Sequence, residues 1–319
     1  MRVLVTGANG FTGRVVIAQL EATGFQVRAL VRKSSEKPDS AAETVCVGDI
    51  GPDTQWGIAL DGVEAVVHLA ARVHRMRSER GDEFAAYRRV NTGATANLTR
   101  QAAAHGVRRL VFLSSAKVNG EGMTGRAYTE SDLANPEDPY SVSKWEAERE
   151  LAEIALRSGL EVAILRPPLV YGPGVKANFL RLLGTVQAGW PLPLGAIDNR
   201  RSFVYVGNLA SAITACLKHP GAVGKTYLVS DGEDISTPEL VRRLAREMDV
   251  PARLLPVPPS ILRSAAVLLG RRAIFDRLCG DFSVDSGAIR RELGWTPPWS
   301  MAQGLAETAR WYRSLSGAR

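Results

Sequence analysis

Short apolar runs recur through the first half of the chain, at residues 3–5, 27–31, 45–47, 65–69, 110–113 and 162–165. They are rich in Val and Leu and mostly unbroken by polar positions, the pattern of strands buried on both faces. Helical spacing fills several of the gaps and predicts helices over 14–23, 90–105 and 140–158. Strand, helix and strand in repetition imply parallel strands joined by right-handed crossovers, hence a doubly wound α/β sheet.

After Arg166 the texture changes. Proline and glycine cluster from Arg166-Pro167-Pro168 to Gly174 and again in Gly189-Trp190-Pro191-Leu192-Pro193-Leu194-Gly195. From about Asp231 helical stretches alternate with turns at Pro256, Pro258, Pro259, Pro297 and Pro298. The expected organisation is a first domain over residues 1–166, rejoined by 202–230, and a smaller C-terminal α+β lobe built from 167–201 and 231–319. Residues 259–270 (PSILRSAAVLLG) are too short to cross a bilayer and carry Arg263, so a packed helix is preferred over one lying on a membrane surface.

The composition changes this picture little: 45% apolar and 23% charged residues in 319 are ordinary for a globular protein with a substantial core. No apolar run is long enough to span a membrane, and the chain runs from Met1 into a strand without room for a cleavable signal, so a cytoplasmic protein is expected. Cys46, Cys216 and Cys279 are odd in number and far apart, and read as buried thiols. His68, His74, His105 and His219 lack metal-ligand spacing, and no metal site is expected. The net charge of +7 suits anionic small ligands. Nucleic acid is disfavoured, because the arginine-rich residues 72–89 also carry Glu79, Asp82 and Glu83 and no recognition motif accompanies them.

Candidate chemistry begins at Thr6-Gly7-Ala8-Asn9-Gly10-Phe11-Thr12-Gly13, between the first strand and the first helix. Glycines at three-residue spacing let the backbone turn tightly against a pyrophosphate, and the helix N-terminus behind them offers unpaired N–H groups. This is the signature of a Rossmann-type dinucleotide site. The second strand ends in Leu30-Val31-Arg32-Lys33, without the carboxylate that would bind a ribose 2′-hydroxyl. Arg32 is instead a candidate clamp for a 2′-phosphate, which favours NADP over NAD. A second constellation lies at Asp138-Pro139-Tyr140-Ser141-Val142-Ser143-Lys144, which opens a helix with Pro in its first turn and Gly159 as its stop. Tyr140 and Lys144 share one face, a turn apart. A neighbouring ammonium is expected to lower the tyrosine pKa and make it an acid–base group. Ser115, just past the strand at 110–113, stands where doubly wound sheets face their ligands and can hydrogen-bond a reacting oxygen.

Gly7, Gly10 and Gly13, with Ser115, Tyr140 and Lys144, resemble the extended short-chain dehydrogenase/reductase superfamily, in its nucleotide-sugar epimerase and 4-keto reductase branch. The resemblance runs over nearly the whole chain. It implies cofactor contacts from Gly7, Asn9, Gly10, Phe11, Thr12 and Gly13, from Asp49 and Ile50 on the adenine side, and from Leu69, Ala70 and Ala71 after the fourth strand. It further implies Asn91, at the head of a helix, Pro167 beside the nicotinamide, and Tyr140 and Lys144 themselves. Substrate contacts are implied for Asn178 with Phe179, Arg201, and Pro193 and Leu194 at the base, with Phe282 limiting pocket size. Asp285 and residues 289–295 are similar to the C-terminal signature. Lys117 stands where the epimerases often have a small or hydroxylic residue, and Asn119 where they often have Tyr. Lys117 is read either as facing the sugar or as an exposed loop lysine. The segment Ser114-Ser115-Ala116-Lys117-Val118-Asn119-Gly120 resembles reductases that form UDP-N-acetylquinovosamine from a 4-keto-6-deoxy precursor. The expected activity is therefore NAD(P)-dependent reduction at C4 of a UDP-linked 4-keto sugar. A 4-epimerase with tightly held NAD is the alternative, and a non-catalytic dinucleotide sensor the remote one. Homodimerisation through two helices per subunit is implied by the same resemblance.

Overall fold

The apolar runs of the first half form strands joined mainly by helices in the computed structural model, which describes residues 1–33, 43–73, 83–121 and 125–316. In chain order these are β1 (Arg2–Thr6), α1 (Phe11–Ala22), β2 (Gln26–Val31), β3 (Glu43–Cys46), α2 (Gly57–Leu60) and β4 (Ala65–His68). Next come α3 (Glu83–Tyr87), a π-helical turn (Arg88–Gly93), α4 (Ala94–Ala104), β5 (Arg109–Leu113), α5 (Pro139–Ser158) and β6 (Glu161–Arg166). The chain continues through β7 (Leu169–Tyr171), α6 (Ala177–Gln187), β8 (Arg201–Tyr205), α7 (Val206–Lys218), β9 (Lys225–Leu228) and β10 (Asp234–Ile235). It ends with α8 (Thr237–Glu247), α9 (Pro259–Leu268), α10 (Arg272–Cys279), α11 (Gly287–Leu293) and α12 (Met301–Ser316).

Seven strands form one sheet in the order β3-β2-β1-β4-β5-β6-β9, every neighbouring pair parallel. This is a Rossmann-type doubly wound α/β fold. Its central strands are continuous in apolar residues because both faces are covered. Val3, Val5, Val67 and Val111 pack beneath Ile17 of α1 and Leu209 and Ile213 of α7. Leu4, Val66, Leu110 and Phe112 pack beneath Leu98 of α4 and Ala147 and Leu151 of α5. Strand order reverses between β1 and β4, which opens a crevice at their carboxyl ends.

The smaller lobe is a three-stranded sheet, β10-β8-β7, with a core of its own. Phe203, Leu183 of α6, Leu240 and Leu244 of α8, and Leu305 of α12 meet there. Several expectations need adjustment at this level. Residues 202–205 belong to the small sheet, because β8 pairs with β7 and β10, and the return to the large sheet begins at Val206. Ile289, Leu293 and Trp295 pack into the core of the large sheet, although they were expected in the smaller lobe. Among the thiols, Cys216 alone is buried; Cys46, on the edge strand β3, is exposed and Cys279 is intermediate. Finally, α9 has no buried residue, so the packed helix expected over 259–270 is not what forms. No helix among the described residues is long and apolar enough to cross a membrane.

Candidate active site

The glycine turn follows β1 directly. Gly7 has a positive φ of 71° and accepts a hydrogen bond from the Gly10 amide at 2.9 Å. A Cβ on Gly13 would lie 2.2 Å from the Gly7 carbonyl oxygen, and one on Gly7 would lie 2.9 Å from the Ala70 nitrogen. Only glycine allows the turn to close on itself and on the end of β4. Thr6 fixes that approach, its Oγ1 accepting from the Leu69 and Ala70 amides at 3.1 Å each. Asn9 and Thr12 are half-buried and Gly10 is exposed at the turn, while Phe11 packs against the core of the smaller lobe. The shape fits a dinucleotide: a backbone cradle at a helix N-terminus, with no Cβ in the way. On its adenine side Arg32 and Lys33 are exposed at the end of β2, with the Arg32 guanidinium 3.9 Å from the Asp49 carboxylate. Ile50 is half-buried against the core beneath α4 and α5.

Asn91 does not head a helix. It sits inside the π-helical turn that leads into α4, a local irregularity often found beside functional sites. Its side chain accepts from the Arg72 amide at 2.7 Å and donates to the Arg72 carbonyl and to Ser143 Oγ at 3.1 and 2.9 Å. It thereby ties the loop carrying Leu69, Ala70 and Ala71 to α5. His74, Glu79 and Asp82 lie outside the described residues.

Asp138 starts α5. Its carboxylate accepts from the Ser141 amide at 2.6 Å, and Ser141 Oγ accepts from the Asp138 amide at 3.1 Å. With Pro139 in the first turn, this cap sets the direction of the helix and so of Tyr140 and Lys144. Tyr140 hydrogen-bonds Ser115 and meets Tyr87 edge-on, ring centroids 6.3 Å apart. Lys144, almost fully buried, donates from Nζ to the Leu113 carbonyl at 2.7 Å and lies 4.4 Å above the centroid of Phe112. Serine, tyrosine and lysine are thus brought together at the carboxyl end of β5. Pro167, buried at the end of β6, accepts from the Ala116 amide at 2.9 Å and joins that end to the serine loop.

The electrostatics differ from the simple expectation of an ammonium acidifying a phenol. Burial drives the Tyr140 pKa upward, and the Asp138 carboxylate and Tyr87 push the same way; the Ser115 hydrogen bond opposes them. Burial pushes the Lys144 ammonium down to about 7, with Glu148 opposing. Lys144 donates to a carbonyl and lies over a ring face, and it is not among the groups that lower the Tyr140 pKa. Burial, helped by Lys144, lowers His68 to about 3, so it sits neutral between Thr6 Oγ1 at 2.7 Å and Thr95 Oγ1 at 2.8 Å.

Two groups near the site carry weight that sequence reasoning did not assign. Arg166 and Glu148 form a buried bidentate pair; Ser114 also donates to Glu148, and Arg166 reaches Asn119 at 3.0 Å. Asn119 is therefore a buried tie, its amide also donating to the Thr129 carbonyl at 3.0 Å, and does not stand in for a substrate-facing tyrosine. The only hint in the sequence was charge within apolar surroundings at Arg166. Asp138 is the second group, and its Asp-Pro helix start was legible. Lys117 is half-buried and bridges Glu121 at 2.8 Å and Asp138 at 2.9 Å, so it braces the start of α5.

Among the expected substrate contacts, Asn178 is exposed in the first turn of α6 and Pro193 is exposed. Phe179 and Leu194 are buried; Phe179 stacks on Tyr171 at 5.7 Å in the core of the smaller lobe, so neither side chain offers a free surface. Arg201 donates to the Gly280 carbonyl at 2.7 Å, and burial lowers its pKa. Phe282 lies half-buried against Tyr128. No metal-binding group of three or more His, Cys, Asp or Glu occurs among the described residues.

A doubly wound sheet with a glycine cradle at its switch point and a Ser–Tyr–Lys cluster beside it defines a dinucleotide-dependent oxidoreductase fold. Residues 3–230 match the NAD dependent epimerase/dehydratase family, and the chain belongs to that family. It is an enzyme of the extended short-chain dehydrogenase/reductase type. It is 43% identical over 310 residues to a UDP-glucose 4-epimerase of Vibrio cholerae, covering 96% of this chain and 94% of the relative. Among solved structures, MoeE5 in complex with UDP-glucose and NAD superposes with a TM-score of 0.79 at 27% identity, over 99% of this chain and all of that one. The dTDP-glucose 4,6-dehydratase DesIV of Streptomyces venezuelae, solved with NAD, superposes with a TM-score of 0.78 at 28% identity, over all of this chain and 98% of that one.

Proposed function

We propose that the enzyme inverts C4 of a UDP-linked sugar through a transient 4-keto sugar. The observation that carries this reading is the convergence of Ser115, Tyr140 and Lys144 on the carboxyl end of β5, next to the glycine cradle. The likeness to a UDP-glucose 4-epimerase over nearly the full length supports epimerisation ahead of the net reduction expected from the sequence.

The amides of the turn 7–13 hold the pyrophosphate, and Lys144 holds the nicotinamide ribose. NAD, when bound, would supply a hydride acceptor for C4 and, in its oxidised form, a positive charge that favours ionisation of the phenol. As the phenolate, favoured by that charge and by the Ser115 hydrogen bond, Tyr140 Oη would take the proton of the sugar O4 as C4 loses its hydride, and would return it when hydride comes back on the other face. Protons and electrons balance with no net redox change. Ser115 Oγ orients O4 throughout, and Asn178 and Arg201 would meet the diphosphate from the smaller lobe.

A second reading, NADPH-dependent reduction of a UDP-4-keto-6-deoxy sugar, is favoured by one observation. Arg32 and Lys33 are exposed after β2, where a 2′-phosphate would bind. Purified protein separates the two. Retained NAD and interconversion of UDP-glucose and UDP-galactose, or of their N-acetyl forms, supports epimerisation. Stoichiometric oxidation of added NADPH by a 4-keto sugar, with no 4-epimer formed from 4-hydroxy sugars, overturns it.

A further inference from the structure

Helices α9 and α10 pack against each other, yet α9 contributes no residue to any core. Ile261, Ala265 and Leu268 fall at i, i+4 and i+7, a single stripe along the helix, and all three are exposed. Exposure reaches 87% for Leu268 and 70% for Leu269, at the turn between the helices. Ile274 and Leu278 of α10 are exposed as well. Over residues 259–279 the charges are Arg263, Arg271, Arg272 and Arg277 against Asp276 alone, a net charge of 4 − 1 = +3. A bridge between Leu192 and Leu254 brings the loop of the exposed Trp190 against the strand-like segment that feeds α9, where Arg253 and Leu255 are also exposed.

We propose that this hairpin docks the protein on an anionic bilayer surface. Exposed leucines at a helical turn, flanked by arginines, combine the features of an interfacial element: apolar side chains for the acyl boundary and cations for anionic headgroups, with the exposed Trp190 on the loop bridged to the segment that feeds α9. A protein partner would be matched by the apolar stripe alone; the excess of arginine selects the lipid headgroup. The hairpin is anchored to Asn199 and to Arg201, the residue that the proposed function assigns to the diphosphate. Asn199 Nδ2 donates to the Leu278 and Gly280 carbonyls at 3.1 Å each, and Arg201 donates to the Gly280 carbonyl at 2.7 Å. Docking therefore sets Arg201, and with it the diphosphate site of the proposed function, on the side of the enzyme that carries the hairpin. This inference is independent of which C4 chemistry the enzyme performs.

Co-sedimentation of the full chain with vesicles tests it. Binding is expected to phosphatidylglycerol/phosphatidylethanolamine vesicles and to be about tenfold weaker to phosphatidylcholine. Leu268→Asp with Leu269→Asp should abolish binding, and Arg271→Glu with Arg272→Glu should weaken it about tenfold. Leu133→Asp, which changes a leucine 90% exposed elsewhere, should leave binding unchanged. All of these positions are at the surface, so folding, read by the thermal midpoint, is retained. Failure of the folded wild-type protein to sediment with anionic vesicles at low salt overturns the proposal. So does equal loss of binding in Leu133→Asp. A wild-type oligomer that the Leu268/Leu269 variant dissolves, with vesicle binding unchanged, assigns the hairpin to a second copy of the chain and also overturns it.

Discussion

Replacing Lys144 by Met probes the desolvated ammonium at the centre of the site. Lys144 is 2% exposed, and its pKa is lowered from 10.5 to about 7, chiefly by burial. Below pH 7 the ammonium is charged in both the folded and unfolded chain, and folding bears the full cost of burying it. Between pH 7 and 10.5 the unfolded chain holds a proton that the folded one has released, so this group makes stability rise with pH. Above 10.5 both forms are neutral and the cost is gone. From pH 7 to 9.5 the rise amounts to about 3 kcal/mol at most, at about 1.4 kcal/mol for each tenfold step. Lys144→Met removes this term. Thiols of the unfolded chain also titrate in that range, but they are common to both proteins and cancel in the difference. Urea unfolding of both proteins at pH 6.5 and 9.5 should show the stability of the variant relative to wild type falling by about 2–3 kcal/mol at the higher pH. A relative stability constant within about 0.5 kcal/mol, or rising, would refute the desolvated ammonium.

Tyr140→Phe should lower kcat by about 10²- to 10⁴-fold while changing stability by no more than about 1 kcal/mol, the worth of the Ser115 hydrogen bond; activity assays and urea titrations check both. Gly13→Ala places a methyl 2.2 Å from the Gly7 carbonyl, so NAD retention on purification should be lost, with about 1–3 kcal/mol of stability. Arg32→Ala should weaken NADP(H) binding about tenfold and leave NAD within about twofold, as read by fluorescence titration. Arg166→Met leaves Glu148 buried without its partner and should cost about 3–5 kcal/mol in urea unfolding, whereas the double change with Glu148→Leu should recover most of it.

Much of the fold was legible because strands buried on both faces leave an unbroken apolar record. The strands of the smaller lobe were not: β7 has three residues and β10 two, too short for any periodicity to show. At the site, the glycine turn and the Tyr140–Lys144 spacing were readable from local geometry. The direction of Lys144 was not, since it depends on the Leu113 carbonyl and the Phe112 ring, which only the sheet brings near. The same holds for Phe179 and Leu194, whose sequence neighbours suggested ligand contact while packing claimed their side chains. Residues 259–270 failed in the opposite sense. Their apolar record promised a helix packed into a core, but among the described residues α9 meets α10 without burying any of its own side chains.

The Arg166–Glu148 pair explains why the site holds its shape. Ion pairs this deeply buried seldom stabilise a fold more than apolar residues of the same volume would, so their persistence points to positioning. Here the pair joins the end of β6 to α5, one helical turn from Lys144. Ser114, donating to the same carboxylate, is the neighbour of Ser115 in the chain. Asn119 ties Arg166 to the loop that follows, and Lys117 ties that loop to the Asp138 cap of α5. Each of the three candidate catalytic residues is therefore held within one residue, one helical turn or one cap of this network. Displacing the end of β6 would move the serine, the tyrosine and the lysine together. The proposed chemistry at C4 tolerates little relative error among a hydride path, a proton path and an orienting hydroxyl. A connected set of buried charges and amides, costly as it is, has few alternative arrangements, and that restriction is what three groups on two separate elements require.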